Sequence, residues 1–166
     1  CVWDDGALHV YAGDGVAAQT MENGALLLGD VYSRSGATCH APADGWGNYL
    51  AFTDDGESVR VERAALTGMP LYWTRFEGGF LLWSDLEMVA TLLGGSAFDW
   101  QFVAETLAYP NLRTERTGLD GVSELLPGTS VDFSVGEPVV QIIWTPWRSV
   151  ALPDLRPVAE LALDLE

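Results

Sequence analysis

The stretch of sequence that decides the fold runs from Trp46 to Asp85 and reads WGNYLAFTDDGESVRVERAALTGMPLYWTRFEGGFLLWSD. Its pattern predicts four β-strands, at Tyr49–Thr53, Ser58–Glu62, Leu71–Arg75 and Phe80–Ser84. An Asp-Asp-Gly run separates the first two strands and a Phe-Glu-Gly-Gly run separates the last two; both are typical of hairpin turns. Several of these strands are apolar on both sides, which indicates that both faces of their sheet are covered. We therefore expect this stretch to form the inner sheet of a layered fold.

Length and composition indicate one folded domain with an acidic surface. A chain of 166 residues can bury roughly 70% of its unfolded surface, and its hydrophobic fraction of 48% exceeds what a disordered chain carries. The 24 acidic and 8 basic residues give a formal net charge of −16, which disfavours nucleic acid and anionic membranes as partners. No apolar run approaches the roughly 20 residues of a membrane span. The sequence therefore predicts neither a nucleic-acid partner nor a membrane.

The cysteines and histidines predict a reducing compartment and no metal site. Cys1 and Cys39 allow one disulfide without requiring it, and such low cysteine usage is typical of cytoplasmic proteins. His9 and His40 have no spacing that would combine with the cysteines to chelate an ion. No charged segment precedes an apolar run at the start, so no signal peptide is expected.

Further hairpins are predicted on both sides of the central stretch. Additional strands are expected at residues 1–3, Ala7–Ala12, Ala25–Tyr32, Ser130–Val135 and Val139–Trp144, with a loop at residues 111–126. Asp4-Asp5-Gly6 repeats the turn signal of Asp54-Asp55-Gly56. Because each acidic pair directly precedes glycine, turn formation explains these carboxylates better than acid–base catalysis does.

Two helices are predicted after the central stretch. Ser84 and Glu87 have capping-box spacing, and the first helix is expected to end at about Leu93. Asp99 is a good N-cap for a second helix that ends before Pro110. The second helix carries an apolar stripe formed by Trp100, Val103, Ala104 and Leu107.

The two ends of the chain carry expectations of their own. Cys1 lies only three residues before the first turn signal, so either the first strand is short or residues precede Cys1 in the natural protein. Trp144 and Trp147 close the last hairpin, and core packing is the preferred interpretation for both, with ligand stacking left open. From Pro153 apolar residues recur at helical spacing, which predicts a helix that continues beyond Glu166.

Five short segments, taken together, carry a family resemblance. Trp46-Gly47-x-Tyr49-x-Ala51-Phe52 is the first, and Arg63 followed by Gly68-x-x-Leu71-Tyr72 is the second. The other three are residues 28–32, 82–85 and 125–128. Their order resembles the amino-terminal glutaminase-type domain of asparagine synthetases, with its Asn-Gly-Glu-Ile-Tyr strand, Gly-x-Phe/Tyr-Ala-Phe strand, Asp-Arg-x-Gly-x-x-Pro-Leu-Tyr-Tyr segment, Phe-Ala-Ser-Glu helix start and Leu-Pro-Pro-Gly turn. The resemblance covers almost the whole chain.

The resemblance implies a fold, a domain layout and a partner. Such domains are N-terminal nucleophile (Ntn) hydrolase folds, so the implied class is α+β, an αββα sandwich of two antiparallel sheets with outer helices. Residues 1–150 would form the glutaminase-like domain, and residues 151–166 would start a linker helix towards a synthetase domain of the same protein. That synthetase domain would use ATP and Mg²⁺. No cofactor is implied for the chain itself, in which the family's Ser-Gly-Gly-x-Asp-Ser pyrophosphate loop does not occur.

The resemblance also implies where a glutaminase site would lie. In the family, the thiolate of an N-terminal cysteine attacks the side-chain amide of glutamine with its own α-amine as base, so Cys1 is the only catalytic candidate. Gly29 matches the glycine beside the family's oxyanion-binding asparagine and is the candidate oxyanion or substrate residue. Leu28 occupies the place of that asparagine and cannot donate a hydrogen bond. Asp30 replaces the following glutamate, and no basic residue precedes Arg34 to hold a substrate carboxylate.

Three functions follow from this comparison. The first is a catalytically silent glutaminase-like domain of an ATP-dependent amide ligase, with no activity of its own. The short connection from Tyr32 to Trp46 resembles the lasso-peptide cyclases, whose synthetase domain closes a macrolactam, so a precursor peptide is an implied partner. The second is a working glutamine amidotransferase domain that uses Cys1 to supply ammonia. The third is a stand-alone binding module with the same fold.

Overall fold

The computed structural model describes residues 3–4, 8–13, 15–33, 45–85, 87, 97–134 and 136–150. Several predicted features lie outside these residues: Cys1, Cys39, His40, most of the helix predicted after Ser84, and the linker helix predicted at 151–166. The described chain is a mixed but strand-rich structure, which agrees with the expected α+β class at that coarse level.

The described residues form eleven strands and two helices. The strands are β1 (Trp3–Asp4), β2 (His9–Val10), β3 (Ala18–Thr20), β4 (Leu26–Ser33), β5 (Gly45–Asp54), β6 (Val59–Arg63), β7 (Tyr72–Phe76), β8 (Gly79–Trp83), β9 (Ser123–Glu124), β10 (Thr129–Phe133) and β11 (Val139–Ile142). The helices are α1 (Trp100–Ala108) and α2 (Trp147–Val150). Every strand pair is antiparallel, and the sheets have the orders β11-β10-β6-β5-β4-β3, β8-β7-β9 and β1-β2.

The predicted hairpins are confirmed, but they do not form one sheet. β5 pairs with β6 in the six-stranded sheet, whereas β7 pairs with β8 in the three-stranded sheet. The expectation of a single inner sheet from Trp46 to Asp85 is therefore wrong. The physical reason is that β10 occupies the second edge of β6, so that β7 finds no free edge there. The chain crosses to the other sheet through the link between Arg63 and Tyr72.

The two larger sheets pack against each other around one hydrophobic core. The six-stranded sheet contributes Leu26, Leu28, Leu50, Phe52, Val61, Val131 and Phe133, and the other sheet and its flanks contribute Leu71, Trp73, Phe80, Leu82 and Leu125. The ring of Phe133 lies 5.5 Å from that of Trp73 and 4.6 Å from that of Phe80, centroid to centroid. Each fully buried aliphatic side chain in such a core contributes about 1.5–3 kcal/mol, so this core is the main source of stability.

The six-stranded sheet is also buried on its opposite face, which we call the outer face. Met21, Ala25, Leu27, Tyr49, Ala51 and Ala64 form a second hydrophobic cluster there. Along β5 the four consecutive residues from Tyr49 to Phe52 are all buried, because their side chains alternate between the two clusters. The expectation that this strand is covered on both faces is confirmed.

Helix α1 begins where the sequence predicts but does not bury its apolar stripe. The side chain of Asp99 accepts a hydrogen bond from the backbone N–H of Phe102 at 2.9 Å, which confirms the predicted cap. Trp100 and Leu107 are, however, 72% and 80% exposed, and α1 contains no buried residue. The apolar stripe is therefore not part of the core. Helical periodicity shows which residues share a face, but it does not show that another element covers that face.

The last hairpin is confirmed as β10 and β11, while its closing tryptophans differ from expectation. Trp144 and Trp147 are 47% and 70% exposed, so core packing was the wrong interpretation for both. They follow a strand at the edge of the six-stranded sheet, where side chains are covered on one side only. Among the described residues, no helix is both long enough and apolar enough to cross a membrane.

Candidate functional site

Gly29, the candidate oxyanion or substrate residue, lies inside strand β4 and faces the backbone of β5. Its φ is +107°, a conformation that side-chain-bearing residues rarely adopt. A Cβ atom at this position would overlap the carbonyl oxygen of Asn48 and come within 3.1 Å of the Met69 sulfur. The N–H of Gly29 donates to the carbonyl oxygen of Ala17 at 2.8 Å. The glycine is therefore required by close backbone packing, and its donor already has an acceptor.

The residues next to Gly29 in sequence, Leu28 and Asp30, do not direct their side chains towards one pocket. Leu28 is only 7% exposed and belongs to the core between the two larger sheets. Asp30 is exposed, and it stands opposite Asn48 in the β4–β5 register. Leu28, which only the resemblance aligns with an oxyanion-binding asparagine, is thus an apolar side chain of the core.

Cys1, the candidate nucleophile, lies outside the described residues. The predicted hairpin that follows it is confirmed, because Trp3 pairs with Val10 and Asp4 pairs with His9.

A buried charged cluster joins the two larger sheets at the end of β6. Arg63 is 2% exposed, and its Nη1 donates to Glu124 Oε1 at 2.8 Å and also to the carbonyl oxygen of Leu125. Arg113 donates to the same glutamate oxygen at 3.1 Å. Burial raises the pKa of Tyr72, and the negative charge of Glu124 adds to this shift. Within the described chain the Nε of Arg63 has no hydrogen-bond partner, so this buried cation is only partly satisfied.

The sequence singled out Arg63 only as part of a motif and missed its partner. Glu124 belongs to β9, in a segment that was expected to be a loop. The one available signal was its position between apolar Val122 and Leu125, both of which are buried. An acidic residue among buried apolar ones needs a cation nearby. Nothing local identifies that cation, because it lies 61 residues away in sequence.

A cleft of about 500 Å³ lies beside strands β7 and β9. We call it the Arg116 cleft. Arg116 donates to Asp99 at 2.6 Å and to Glu105 at 2.8 Å. The pKa of Asp99 is lowered, first by the backbone N–H of Phe102 and then by Arg116, while Asp99 raises the pKa of Arg116. These groups satisfy one another, and the ion pairs hold the start of α1 to the segment after it.

The second cleft, of about 400 Å³, lies where three hairpin turns meet, and we call it the turn cleft. The backbone N–H of Gly56 donates to Asp54 at 2.6 Å, and those of Glu57 and Ser58 donate to Asp55 at 2.9 and 2.8 Å. The hydrogen bonds from Glu57 and Ser58 lower the pKa of Asp55. The two carboxylates therefore close the β5–β6 turn, which confirms that turn chemistry explains this Asp-Asp pair.

Neither cleft is lined by Gly29. The turn cleft includes Asp54 at the end of β5, whereas Gly29 stands opposite Tyr49, five residues earlier along that strand. The structure thus does not place the predicted oxyanion residue in either of these two clefts. No group of three or more His, Cys, Asp or Glu side chains suited to a metal ion is found among the described residues. The expected use of ATP and Mg²⁺ concerns a different domain and stays a prediction.

In comparisons with known proteins, no protein-family model and no curated protein matches this chain.

Proposed function

We propose that this chain is a glutaminase-like domain that does not hydrolyse glutamine and that serves as a scaffold in an ATP-dependent amide ligase of the asparagine synthetase type. The ligase we favour is a lasso-peptide cyclase, in which a synthetase domain uses ATP and Mg²⁺ to activate a side-chain carboxylate of a precursor peptide. The order of five family-like segments supports this proposal. Two antiparallel sheets around a shared core are compatible with the proposed Ntn-type αββα sandwich.

The geometry around Gly29 is the main observation that supports our proposal that the chain does not hydrolyse glutamine. Acyl transfer from an amide requires donors aimed at the oxyanion, and removing one such donor typically costs about 100- to 1000-fold in rate. Here the side chain of Leu28 lies in the core, and the N–H of Gly29 is bonded to Ala17. A nucleophile brought to this position would therefore meet neither of the two donors that the reaction needs.

The scaffold role is supported by what the chain retains. The core between the two larger sheets and the Arg63–Glu124 pair hold these sheets together, as a scaffold for another domain requires. In this proposal the synthetase domain of the same protein is the principal partner, and ATP and Mg²⁺ bind to that domain.

The decisive experiment measures glutamate and ammonia release from glutamine. We expect no turnover above background for the unmodified chain, for Cys1→Ala, or for the matched control Cys39→Ala. Circular dichroism would verify that all three proteins are folded. Turnover that disappears in Cys1→Ala but persists in Cys39→Ala would refute the proposal and identify a working amidotransferase domain.

A second observation separates the scaffold from a stand-alone module. We expect the natural gene to encode an ATP-binding synthetase domain after the region that corresponds to Glu166. A reading frame that stops without such a domain would contradict the ligase assignment.

A further inference from the structure

Strand β11 forms one edge of the six-stranded sheet and is unusually exposed. It pairs with β10 from Val139 to Ile142, and no other described strand pairs with its second edge. All four of its residues are exposed; the three apolar ones, Val139, Val140 and Ile142, are 52%, 42% and 66% exposed. An edge strand presents unpaired N–H and C=O groups that can accept another strand.

The opposite edge of the same sheet is protected in ways that β11 is not. β3 has only three residues, Ala18-Gln19-Thr20, which offer a short and mostly polar edge. β11 reads Val-Val-Gln-Ile and carries no charge, although charges and short length are the usual protection against pairing. Pro138 precedes β11, outside the residues that pair with β10. Since no described strand pairs with its second edge, β11 is open to an added strand within the described part of the chain.

The apolar surface continues on the core face of β11 and beyond its end. Val140 stands opposite Val131, which is fully buried, yet Val140 itself is 42% exposed. The three-stranded sheet therefore covers β10 but does not reach over β11. Trp144 and Trp147 extend the exposed apolar surface past the end of the strand. An added strand could bury side chains here as well as form backbone hydrogen bonds.

We propose that the β11 edge binds an extended, positively charged peptide segment of a partner protein as a seventh strand of the sheet. Strand addition takes affinity from main-chain hydrogen bonds and specificity from alternate side chains. The charge of the partner follows from the formal net charge of −16, which attracts a cationic segment and repels an anionic one. The proposal does not depend on the proposed ligase function.

A second copy of the chain fits this edge less well. Two copies would each carry a formal charge of −16 and repel each other. Contact between two four-residue strands would also bury far less than the roughly 800 Å² per partner of a stable interface. A flexible peptide with alternating apolar side chains and basic ends avoids the charge repulsion.

The test uses a fluorescein-labelled peptide of sequence Lys-Thr-Val-Thr-Val-Lys and measures binding by fluorescence anisotropy at low ionic strength. We expect saturable binding that weakens as salt is added. The same peptide with glutamate in place of both lysines should bind at least about tenfold more weakly, because its charge has the sign of the protein's. A version N-methylated at its four central residues should not bind, because it cannot donate to the sheet.

Protein variants locate the site. Ile142→Lys should weaken binding of the cationic peptide about tenfold, through the loss of apolar cross-strand contacts and the added like charge. Leu107→Lys places the same charge at an 80% exposed leucine on α1 and should leave binding unchanged. Hydrogen–deuterium exchange should show new protection, when the peptide is bound, of those amides between Val139 and Ile142 that do not already donate to β10.

Three results would overturn the proposal. They are the absence of saturable binding, equal binding of the N-methylated peptide, and binding that Ile142→Lys leaves intact. Analytical ultracentrifugation supplies a fourth: a dimer abolished by Ile142→Lys and retained in Leu107→Lys would assign the edge to a second copy of the chain.

Discussion

The two hairpins of the Trp46–Asp85 stretch have similar patterns but different environments. The β5–β6 hairpin occupies the middle of the six-stranded sheet, where Leu50 and Ala51 on opposite faces are 2% and 1% exposed. The β7–β8 hairpin lies in the three-stranded sheet with β8 at the edge, and the side chains from Phe80 to Leu82 are only partly buried. Apolar residues on both sides of a strand therefore indicate that both of its faces can be buried. The neighbouring layers decide how much of each face actually is.

The two turns differ in how they are stabilised. In the first hairpin, the carboxylates of Asp54 and Asp55 accept hydrogen bonds from the turn backbone. In the second, Glu77 and Gly78 have φ values of +48° and +86°, as a type I′ turn requires. The first turn thus depends on side-chain acceptors and the second on backbone conformation. Three pairs of measurements and one titration test how far this contrast between the hairpins extends.

The largest effect is expected for glycine substitutions. Gly29→Ala should destabilise the protein by about 4 kcal/mol, because the new Cβ overlaps the backbone of Asn48 next to the first hairpin and the φ is unfavourable. Gly79→Ala in the second hairpin should change stability by about 0.5 kcal/mol or less, because its Cβ would meet only the Phe76 oxygen at 3.8 Å. Urea unfolding of both variants gives the comparison. Similar losses of stability in the two variants would show that the backbone around Gly29 moves to accommodate the new Cβ atom.

The second pair compares a buried arginine with an exposed one. Arg63→Met should cost about 3 kcal/mol or more, because it leaves Glu124, whose side chain is 12% exposed, with only the surface residue Arg113 as a partner. Arg75→Met removes an ion pair with Glu137 whose side chains are 54% and 90% exposed, and it should cost about 0–1 kcal/mol.

Thermal and urea unfolding of these two variants provide the measurement, and Glu124→Gln serves as a second probe of the buried pair. If Arg63→Met were as stable as Arg75→Met, the ion pair between the sheets would contribute nothing and the apolar core alone would hold them together.

The third pair makes the same change in both hairpins. Leu50→Ala should cost about 2–5 kcal/mol, because it opens a cavity between the two larger sheets. Leu82→Ala lies against the same core but is only half-buried, so about 1.5 kcal/mol is expected. Denaturant midpoints, with unchanged slopes, would measure the difference. A larger loss of stability for Leu82→Ala would mean that the smaller sheet contributes more to the shared core than the larger one does.

The smallest effect concerns the pH dependence of the first turn. The pKa of Asp55 is lowered by hydrogen bonds from the backbone N–H groups of Glu57 and Ser58. Its contribution to stability is therefore complete above the ordinary value of 3.8 and disappears as the pH falls through the lower folded-state pKa. Side-chain carboxyl NMR should give a titration midpoint for Asp55 below 3.8. Asp55→Asn should keep the turn but lose this titration, and a midpoint at or above that value would argue against the hydrogen bonds.

Several elements could be predicted because their signals are local. Both central hairpins, the cap of α1 at Asp99 and the last hairpin occur where turn and cap residues indicate them. The exposure of Trp100 and Trp147 could not be predicted, because it depends on whether another layer lies over them. For the candidate site, the family resemblance pointed to Gly29, but only the structure shows that its N–H already has an acceptor.

The sequence by itself determined the central and last hairpins and the start of the second predicted helix, since turns and caps depend on hydrogen bonds and backbone conformations within a few residues. The tertiary structure alone decided that β6 pairs with β10, so that the two hairpins enter different sheets. It also brought Arg63 to Glu124 and left β11 at an open edge. These outcomes depend on competition among distant strands for the same edges and layers, which no local pattern records.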